Sequence, residues 1–263
     1  MKQIYALGTS HTFGVCRGED NGLLETTWTD ILSKRLKRPV INYGRRGINN
    51  LQIIEMAEKI AKEEQPDLII AEMRWTTHPI MVEDHRNPNK STDLFSLTRH
   101  FEHEKNEADS YSSKYKEIHY GWSKHINRLE EKMNLEWIED LDKDFLENLK
   151  GFIKINFNHN VFQDQYKRQA LSNMYHLQSI CDKRDIPLKI FVWTASNYND
   201  ISKSNFDMSG LSTFGFFENG RTFIEYIGPE NSDPYKCKCE HFKTPVHMML
   251  VDEIEEEVND ALR

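Results

Sequence analysis

A serine set among small residues follows the first apolar run of the chain. Residues 4–7, Ile-Tyr-Ala-Leu, lead into Gly-Thr-Ser-His-Thr at residues 8–12. Far downstream stands His241, six residues before His247. A serine hydroxyl becomes a nucleophile when a neighbouring base, usually a histidine, takes its proton. Ser10 and His241 therefore point to acyl transfer, with an ordinary turn serine as the plain alternative.

Acyl transfer also requires hydrogen-bond donors for the negative charge that develops on the carbonyl oxygen, and backbone N–H groups at glycine turns can supply them. Two further segments follow apolar runs: Asn-Tyr-Gly-Arg-Arg-Gly at residues 42–47 and Arg-Trp-Thr-Thr at residues 74–77. Ligands of open α/β sheets bind outside the carboxyl ends of the strands. We therefore expect both segments to lie near Ser10.

The elements that must position these residues alternate between short apolar runs and amphipathic helices. This order predicts an α/β fold with a parallel sheet and helices on both faces. We predict strands over 3–7, 39–43, 68–71 and 187–193, a possible strand over 222–227, and helices over 27–36, from Asn49 or Asn50 onward, over 163–184 and over 245–262.

Residues 78 to about 160 differ from the rest because they are polar and rich in Lys, Glu, Asp, His and Asn. The patterns at 122–133 and 145–155 indicate helices. We interpret the chain as a single domain over residues 1–263 with a mostly helical insertion at about 78–160. The insertion is a lid or contact surface in one interpretation and a solvated decoration in the other.

The composition excludes some classes of function. The chain has 263 residues and a formal net charge of −8, which argues against general nucleic-acid binding. No window reaches the roughly 18 apolar residues of a membrane span, so we expect no membrane partner. The N-terminus lacks the apolar core of a signal peptide, which predicts a cytoplasmic protein. Later release of the protein by lysis, or its assembly into a larger particle, would leave no signal in the sequence. We expect no cofactor.

The four cysteines do not show the spacing of a disulfide framework. Cys237 and Cys239, together with His241 and His247, offer an alternative, because two thiolates and two imidazoles suit tetrahedral zinc. The C-x-C spacing is tighter than that of the usual zinc motifs. We therefore predict no metal site.

The same segments resemble the SGNH hydrolases, also called the GDSL-like lipase and esterase superfamily. The family's first block is Gly-Asp-Ser followed by a threonine and a glycine, and its second is Asn-x-Gly-x-x-Gly. Its last block has histidines six residues apart before an amphipathic helix. The matching residues are Gly8, Ser10, Thr12 and Gly14, then Asn42, Gly44 and Gly47, and finally His241 and His247, whereas Thr9 stands where the family has aspartate.

The resemblance implies a three-layer α/β/α, flavodoxin-like fold, with Ser10 as the nucleophile and His241 as the base. It implies that the N–H groups of Ser10 and Gly47 form two thirds of an oxyanion hole. Thr76 stands where the family has the asparagine that completes this hole, and Lys238 stands where it has the aspartate that orients the histidine.

The orienting acid is therefore open. We rank Asp233 slightly above Glu240, with a backbone carbonyl, a water or a Ser–His dyad as further choices. His11, Arg74 and Trp75 are candidate pocket residues.

The resemblance favours an enzyme that hydrolyses a small acyl ester, including an acetyl group on a carbohydrate. The alternative is a catalytically decayed SGNH-like domain that acts as a binding or structural module. The substitutions at positions 9, 76 and 238 favour the alternative, and the retained Ser10, Gly47 and His241 oppose it.

Overall fold

A computed structural model describes residues 3–16, 23–45, 48–74, 81–82, 92–93, 163–194, 207–218, 220–237 and 241–263. The chain divides into two compact units. The first comprises Met1–Thr76 and Gln169–Arg263, and the second comprises Thr77–Arg168.

The first unit contains a four-stranded parallel sheet. Its strands are β1 (Ile4–Gly8), β2 (Val40–Gly44), β3 (Leu68–Glu72) and, after two short strands of the second unit, β6 (Leu188–Phe191). Their spatial order is β2-β1-β3-β6. Every residue of β1 and β3 is buried, as expected for central strands of a sheet covered on both faces. The predicted α/β class with a flavodoxin-like strand order is confirmed.

The register of the sheet brings the functional segments to one edge. In the pairing of β1 with β2, Gly8 lies opposite Gly44, and in its pairing with β3, Leu7 lies opposite Ala71. Because all three strands are parallel, the residues that follow them emerge side by side. The register therefore places the first residues of these segments together at the carboxyl edge of the sheet, as predicted.

Seven α-helices are present in the described residues. They are α1 (Ser10–Phe13), α2 (Trp28–Leu36), α3 (Asn50–Glu63), α4 (Gln163–Asp182), α5 (Phe223–Ile227), α6 (Pro229–Ser232) and α7 (Thr244–Ala261). Asn49 starts α3 with a reciprocal cap, since its Oδ1 accepts from the Gln52 N–H and the Gln52 Oε1 accepts from the Asn49 N–H, both at 3.0 Å. The predicted strands and long helices of this unit are confirmed within a few residues.

The possible strand over 222–227 is wrong, because these residues form α5. The Thr222 hydroxyl accepts from the Glu225 N–H at 3.3 Å, and the Glu225 carboxylate accepts from the Thr222 N–H at 2.8 Å. This Thr-x-x-Glu capping box fixes a helix start, and it outweighs the β propensity of the Phe-Ile pair that follows.

In the second unit the structure describes residues 163–168 of α4 and an antiparallel pair, β4 (Met81–Val82) with β5 (Thr92–Asp93). The rest of the predicted helical insertion lies outside the described residues, so its helical content stays a prediction. No helix in the described ranges combines the length and apolar character that crossing a membrane requires.

Candidate active site

Ser10 and His241 lie in contact, although 231 positions separate them in the chain. The distance from Ser10 Oγ to His241 Nε2 is 2.7 Å, which is a hydrogen bond. Both residues are half-buried, so the pair is partly shielded from solvent. The structure thus brings together the two residues that the motifs single out.

A one-turn helix presents Ser10 at the carboxyl edge of the sheet. Strand β1 ends at Gly8, Thr9 is extended, and α1 starts at Ser10. The helix ends at Gly14, whose φ of 87° is left-handed and whose N–H donates to the carbonyl groups of Ser10 and His11 at 3.1 Å. A residue with a Cβ would be strained there. The glycine therefore closes the turn directly beneath the serine.

A short hairpin presents His241. The Cys237 N–H donates to the His241 carbonyl at 2.7 Å, and the Lys243 N–H donates to the Tyr235 carbonyl at 2.8 Å. Lys236 and Phe242 form an antiparallel bridge between the same two arms. The carbonyl of His241 and the two residues that follow it are thereby held against residues 235–237, shortly before α7 begins.

A disulfide between Cys16 and Cys237 joins the serine segment to this hairpin. Its Cα atoms are 5.7 Å apart, and both residues are buried. The spacing of the cysteines did not predict a disulfide, because a single pair across 221 positions has no local pattern. The third described cysteine, Cys181, is a buried free thiol whose pKa is raised to about 12 by burial.

Two of the four residues in the zinc alternative have other partners in the structure, and a third, Cys239, lies outside the described residues. The sulfur of Cys237 is bonded to Cys16, and Nδ1 of His247 accepts a hydrogen bond from the Trp28 N–H at 3.1 Å. No group of three or more His, Cys, Asp or Glu side chains that could hold a metal occurs in the described part of the chain.

His11 packs directly on the ring of His241. The two ring centroids are 4.7 Å apart. The His11 ring also stacks on the rings of Trp193 and Phe242, with centroid distances of 5.6 Å and 5.5 Å. His11 therefore belongs to an aromatic cluster that supports the candidate base, which places this predicted pocket residue at the site.

Glu72, at the end of β3, was missed by the sequence reasoning. It is 2% exposed, and its carboxylate accepts hydrogen bonds from the N–H groups of Thr9 and Thr12 and from both threonine hydroxyls. Burial raises the pKa of Glu72, while these four hydrogen bonds act in the opposite direction. The available signal was a glutamate that ends the otherwise apolar run Leu-Ile-Ile-Ala-Glu.

The segment after β2 is tied to the serine turn. The Asn42 amide donates to the Thr12 carbonyl at 2.7 Å, and its oxygen accepts from the Gly44 N–H at 2.8 Å. A Cβ at Gly44 would lie 2.7 Å from the Thr12 carbonyl carbon, so only glycine allows this close approach. Gly47, the predicted second oxyanion donor, lies outside the described residues.

The segment after β3 is held at its first residue. The backbone of Arg74 exchanges two hydrogen bonds of 2.7 Å with the side-chain amide of Asn50, which mimics a strand partner. This fixes the direction in which the chain leaves the sheet. Trp75 and Thr76, predicted as a pocket residue and an oxyanion donor, lie outside the described residues.

The structure does not bring Asp233 and His241 together through a hydrogen bond between described atoms. The Asp233 carboxylate instead forms an ion pair with the Lys236 ammonium at 2.6 Å, and its side chain is 58% exposed. Glu240, the other predicted acid, lies outside the described residues, so its role stays a prediction.

Comparison with known proteins gives structural likenesses only. No protein-family model and no curated protein matches the chain. A lipase/acylhydrolase from Enterococcus faecalis aligns at 12% identity with a TM-score of 0.40, covering 100% of this chain and 98% of its own. A protein assigned to the lipolytic G-D-S-L family, from Desulfitobacterium hafniense, aligns at 13% identity with a TM-score of 0.27, covering 73% and 78%. A protein described as an acylhydrolase, from Bacteroides fragilis, aligns at 11% identity with a TM-score of 0.34, covering 100% and 88%.

Proposed function

We propose that the chain is a serine hydrolase of the SGNH type, which cleaves small acyl esters with Ser10 as nucleophile and His241 as base. The observation that carries this proposal is the 2.7 Å contact between Ser10 Oγ and His241 Nε2. This is the separation that proton transfer from a nucleophile to its base requires. The same two residues are those that the SGNH resemblance assigns to these roles.

This geometry supports a two-step acyl transfer. Ser10 Oγ attacks the ester carbonyl carbon while its proton passes to Nε2 of His241, whose other ring nitrogen carries the proton of the neutral ring. The tetrahedral intermediate expels the alcohol, which takes the proton from Nε2. Water then attacks the acyl-enzyme, gives a proton to Nε2 and releases the carboxylic acid, and Ser10 recovers its proton.

The oxyanion would be stabilised by the Ser10 N–H, with the Gly47 N–H and the Thr76 hydroxyl as the other proposed donors. In the described part of the chain, no hydrogen bond uses the Ser10 N–H, so this donor is available to a substrate oxygen. A threonine hydroxyl donates one hydrogen bond, which fits the role proposed for Thr76.

In this proposal the acid that orients His241 is either Asp233 or Glu240. The ion pair of Asp233 with Lys236 counts against Asp233. An acid that contacts His241 stabilises the imidazolium, and its loss costs up to about 10,000-fold in rate. Asp233→Asn and Glu240→Gln therefore distinguish the two, and unchanged kinetics in both would indicate a Ser–His dyad.

The substrate class that we propose is a small acyl ester, with acetylated carbohydrate as the specific case drawn from the resemblance. The net charge of −8 supports neither nucleic acid nor an anionic membrane as a partner. For location, the sequence favoured the cytoplasm. The buried disulfide counts against it, because such bonds persist mainly in oxidising compartments.

The experiment is labelling with a fluorophosphonate probe, read by peptide mass spectrometry, together with hydrolysis of p-nitrophenyl acetate. We expect the probe on Ser10, and we expect Ser10→Ala and His241→Gln to abolish both signals. Ser179→Ala is the matched control, because Ser179 is a half-buried serine on α4. His176→Gln, at an exposed histidine of the same helix, is the control for His241.

Two outcomes would contradict the proposal. A Ser10→Ala protein that keeps the full rate would remove Ser10 from the mechanism. A folded wild type that neither reacts with the probe nor turns over ester would favour the alternative, a decayed SGNH-like domain with a binding or structural role.

A further inference from the structure

The carboxylate of Glu72 occupies a closed niche under the serine turn. Glu72 is the last residue of β3, the strand beside β1, and is 2% exposed. Its four hydrogen-bond donors all come from Thr9 and Thr12, the residues that flank Ser10 and His11. One side chain on a neighbouring strand thus holds both ends of the segment that carries the nucleophile.

The geometry of these hydrogen bonds is specific. The Thr9 N–H lies 3.1 Å and the Thr12 N–H 2.9 Å from Glu72 Oε2, and the Thr9 hydroxyl lies 2.5 Å from Oε1. Both backbone N–H groups donate to Oε2, whereas the hydrogen bond at Oε1 comes from the Thr9 hydroxyl, which can also accept. A glutamine amide would keep an acceptor for the two N–H groups, but as a neutral group it forms weaker hydrogen bonds than a carboxylate.

Gly8 makes room for this carboxylate. A Cβ on Gly8 would lie 2.6 Å from Glu72 Oε2, closer than non-bonded atoms approach. The glycine of the first motif block therefore has a structural purpose beyond the turn, because it allows a buried carboxylate to reach the backbone of the next residues.

The hydrogen bonds to Glu72 are distributed selectively along the turn. Thr9 precedes α1 and Thr12 is its third residue, so the carboxylate caps two of the N–H groups that a helix start leaves unpaired. The intervening Ser10 N–H makes no hydrogen bond in the described ranges. Glu72 therefore fixes the turn and leaves the proposed oxyanion donor open.

We propose that Glu72 is a positioning residue for Ser10: its carboxylate fixes the turn so that Oγ meets Nε2 of His241 and the Ser10 N–H faces the substrate. This inference rests on the proposed hydrolase function. Thr9 stands where the SGNH pattern has an aspartate, and its hydroxyl lies 2.5 Å from Glu72. A carboxylate placed at position 9 would therefore enter the same niche.

The test compares Glu72→Gln with the double variant Thr9→Asp/Glu72→Gln. We expect Glu72→Gln to lower kcat and the rate of fluorophosphonate labelling by about 10- to 100-fold, with KM little changed, because small misplacements of a reacting group have effects of this size. The double variant returns a carboxylate to the niche, so we expect it to recover most of the lost labelling rate. A purely structural role would lower the free energy of unfolding in Glu72→Gln without a split between kcat and KM in the folded protein.

Glu257→Gln is the matched control. Glu257 also accepts a backbone N–H, that of Gly215 at 2.8 Å, and pairs with Lys189 at 2.7 Å, so its loss tests a similar interaction at other residues. We expect its labelling rate to equal that of the wild type. Unfolding by urea is measured for each variant, so that all rates refer to folded protein.

The outcomes separate this inference from the proposed function. If the wild type reacts with the probe and folded Glu72→Gln reacts equally fast, the positioning role is wrong and the hydrolase proposal stands. If the wild type does not react, both are wrong. If Glu72→Gln does not fold, Thr9→Val decides, since it removes one of the four donors; we expect a drop of about 3- to 10-fold, and an unchanged rate would overturn the positioning role.

Discussion

The backbone N–H of Trp28, the first residue of α2, donates a hydrogen bond of 3.1 Å to Nδ1 of His247 in α7. His247 is 1% exposed, and its ring lies 4.8 Å from that of Trp193. Nδ1 must be unprotonated to accept this bond. Burial lowers the pKa of His247 to about 3, so the ring stays neutral in the folded protein at ordinary pH.

This relationship predicts that stability falls in acid. Below its usual pKa of 6.5, His247 takes up a proton in the unfolded chain but not in the folded one until about pH 3. The unfolded state then binds more protons, so the contribution is complete above pH 6.5 and is lost as the pH falls towards 3. The expected slope is about 1.4 kcal/mol per pH unit, measured by urea unfolding between pH 7 and 4.

The comparison for this prediction is His247→Gln, which keeps an acceptor but does not titrate. We expect a less stable protein whose free energy of unfolding depends less on pH. Subtracting its pH profile from that of the wild type removes the contributions that other groups, such as Glu72, make in both proteins. His176→Gln, at an exposed histidine, should keep the wild-type slope. Equal slopes in His247→Gln and the wild type would contradict a neutral buried His247.

The second prediction concerns the disulfide. Replacing Cys16 and Cys237 by alanine should lower the free energy of unfolding by about 2–5 kcal/mol, because the bond closes a long loop in the unfolded chain. Ser10 labelling should also slow, since the hairpin that holds His241 loses its covalent link. A phosphine reductant should reproduce both effects in the wild type and leave the double variant unchanged. A fully reduced wild type with unaltered stability would refute the prediction.

The third prediction tests the aromatic support of His241. Removing the ring in His11→Ala should lower kcat about 2- to 10-fold, since an aromatic contact contributes about 0.5–1.5 kcal/mol. His11→Phe keeps a ring that stacks on Trp193 and should retain most of the rate. Steady-state hydrolysis of p-nitrophenyl acetate measures both variants. If His11→Phe loses as much as His11→Ala, the imidazole itself and not its packing is required.

The fourth prediction uses two glycines. Gly44→Ala places a Cβ 2.7 Å from the Thr12 carbonyl carbon, so we expect the protein to lose about 1–3 kcal/mol of stability and the serine turn to shift. At Gly215 the nearest atom to an added Cβ is the Glu257 carboxylate at 3.3 Å, and this flexible side chain can yield. Gly215→Ala should be nearly neutral in thermal unfolding. Similar losses for the two variants would show that the close approach at Gly44 has no special cost.

The sequence was sufficient for the parts of the fold that depend on local pattern. Buried strands and amphipathic helices have periodicities that single segments reveal, and the parallel order follows from their alternation. Ser10 and His241 could be paired because a serine nucleophile needs a histidine base and both residues stand in motif blocks of recognisable spacing. The Thr222-x-x-Glu225 cap was also readable, and weighing it would have predicted α5.

The interactions missed in the sequence are those between segments with no shared pattern. Glu72 looks like a polar end to a buried strand, and only the register of β1 with β3 brings its carboxylate under Thr9 and Thr12. The pairing of Cys16 with Cys237 likewise depends on where the final hairpin lies. The position of Asp233, eight residues before His241, does not show its ion pair with the nearby Lys236.

The Cys16–Cys237 bond connects the segments of Ser10 and His241 covalently, in addition to the main chain. A single proteolytic cut anywhere between these cysteines yields two fragments that remain one molecule until the bond is reduced. Ser10 lies in the first fragment and His241 in the second, so nicked protein would keep the pair linked. Such protein would run as one band on a non-reducing gel and as two on a reducing gel, and it could still carry a probe on Ser10.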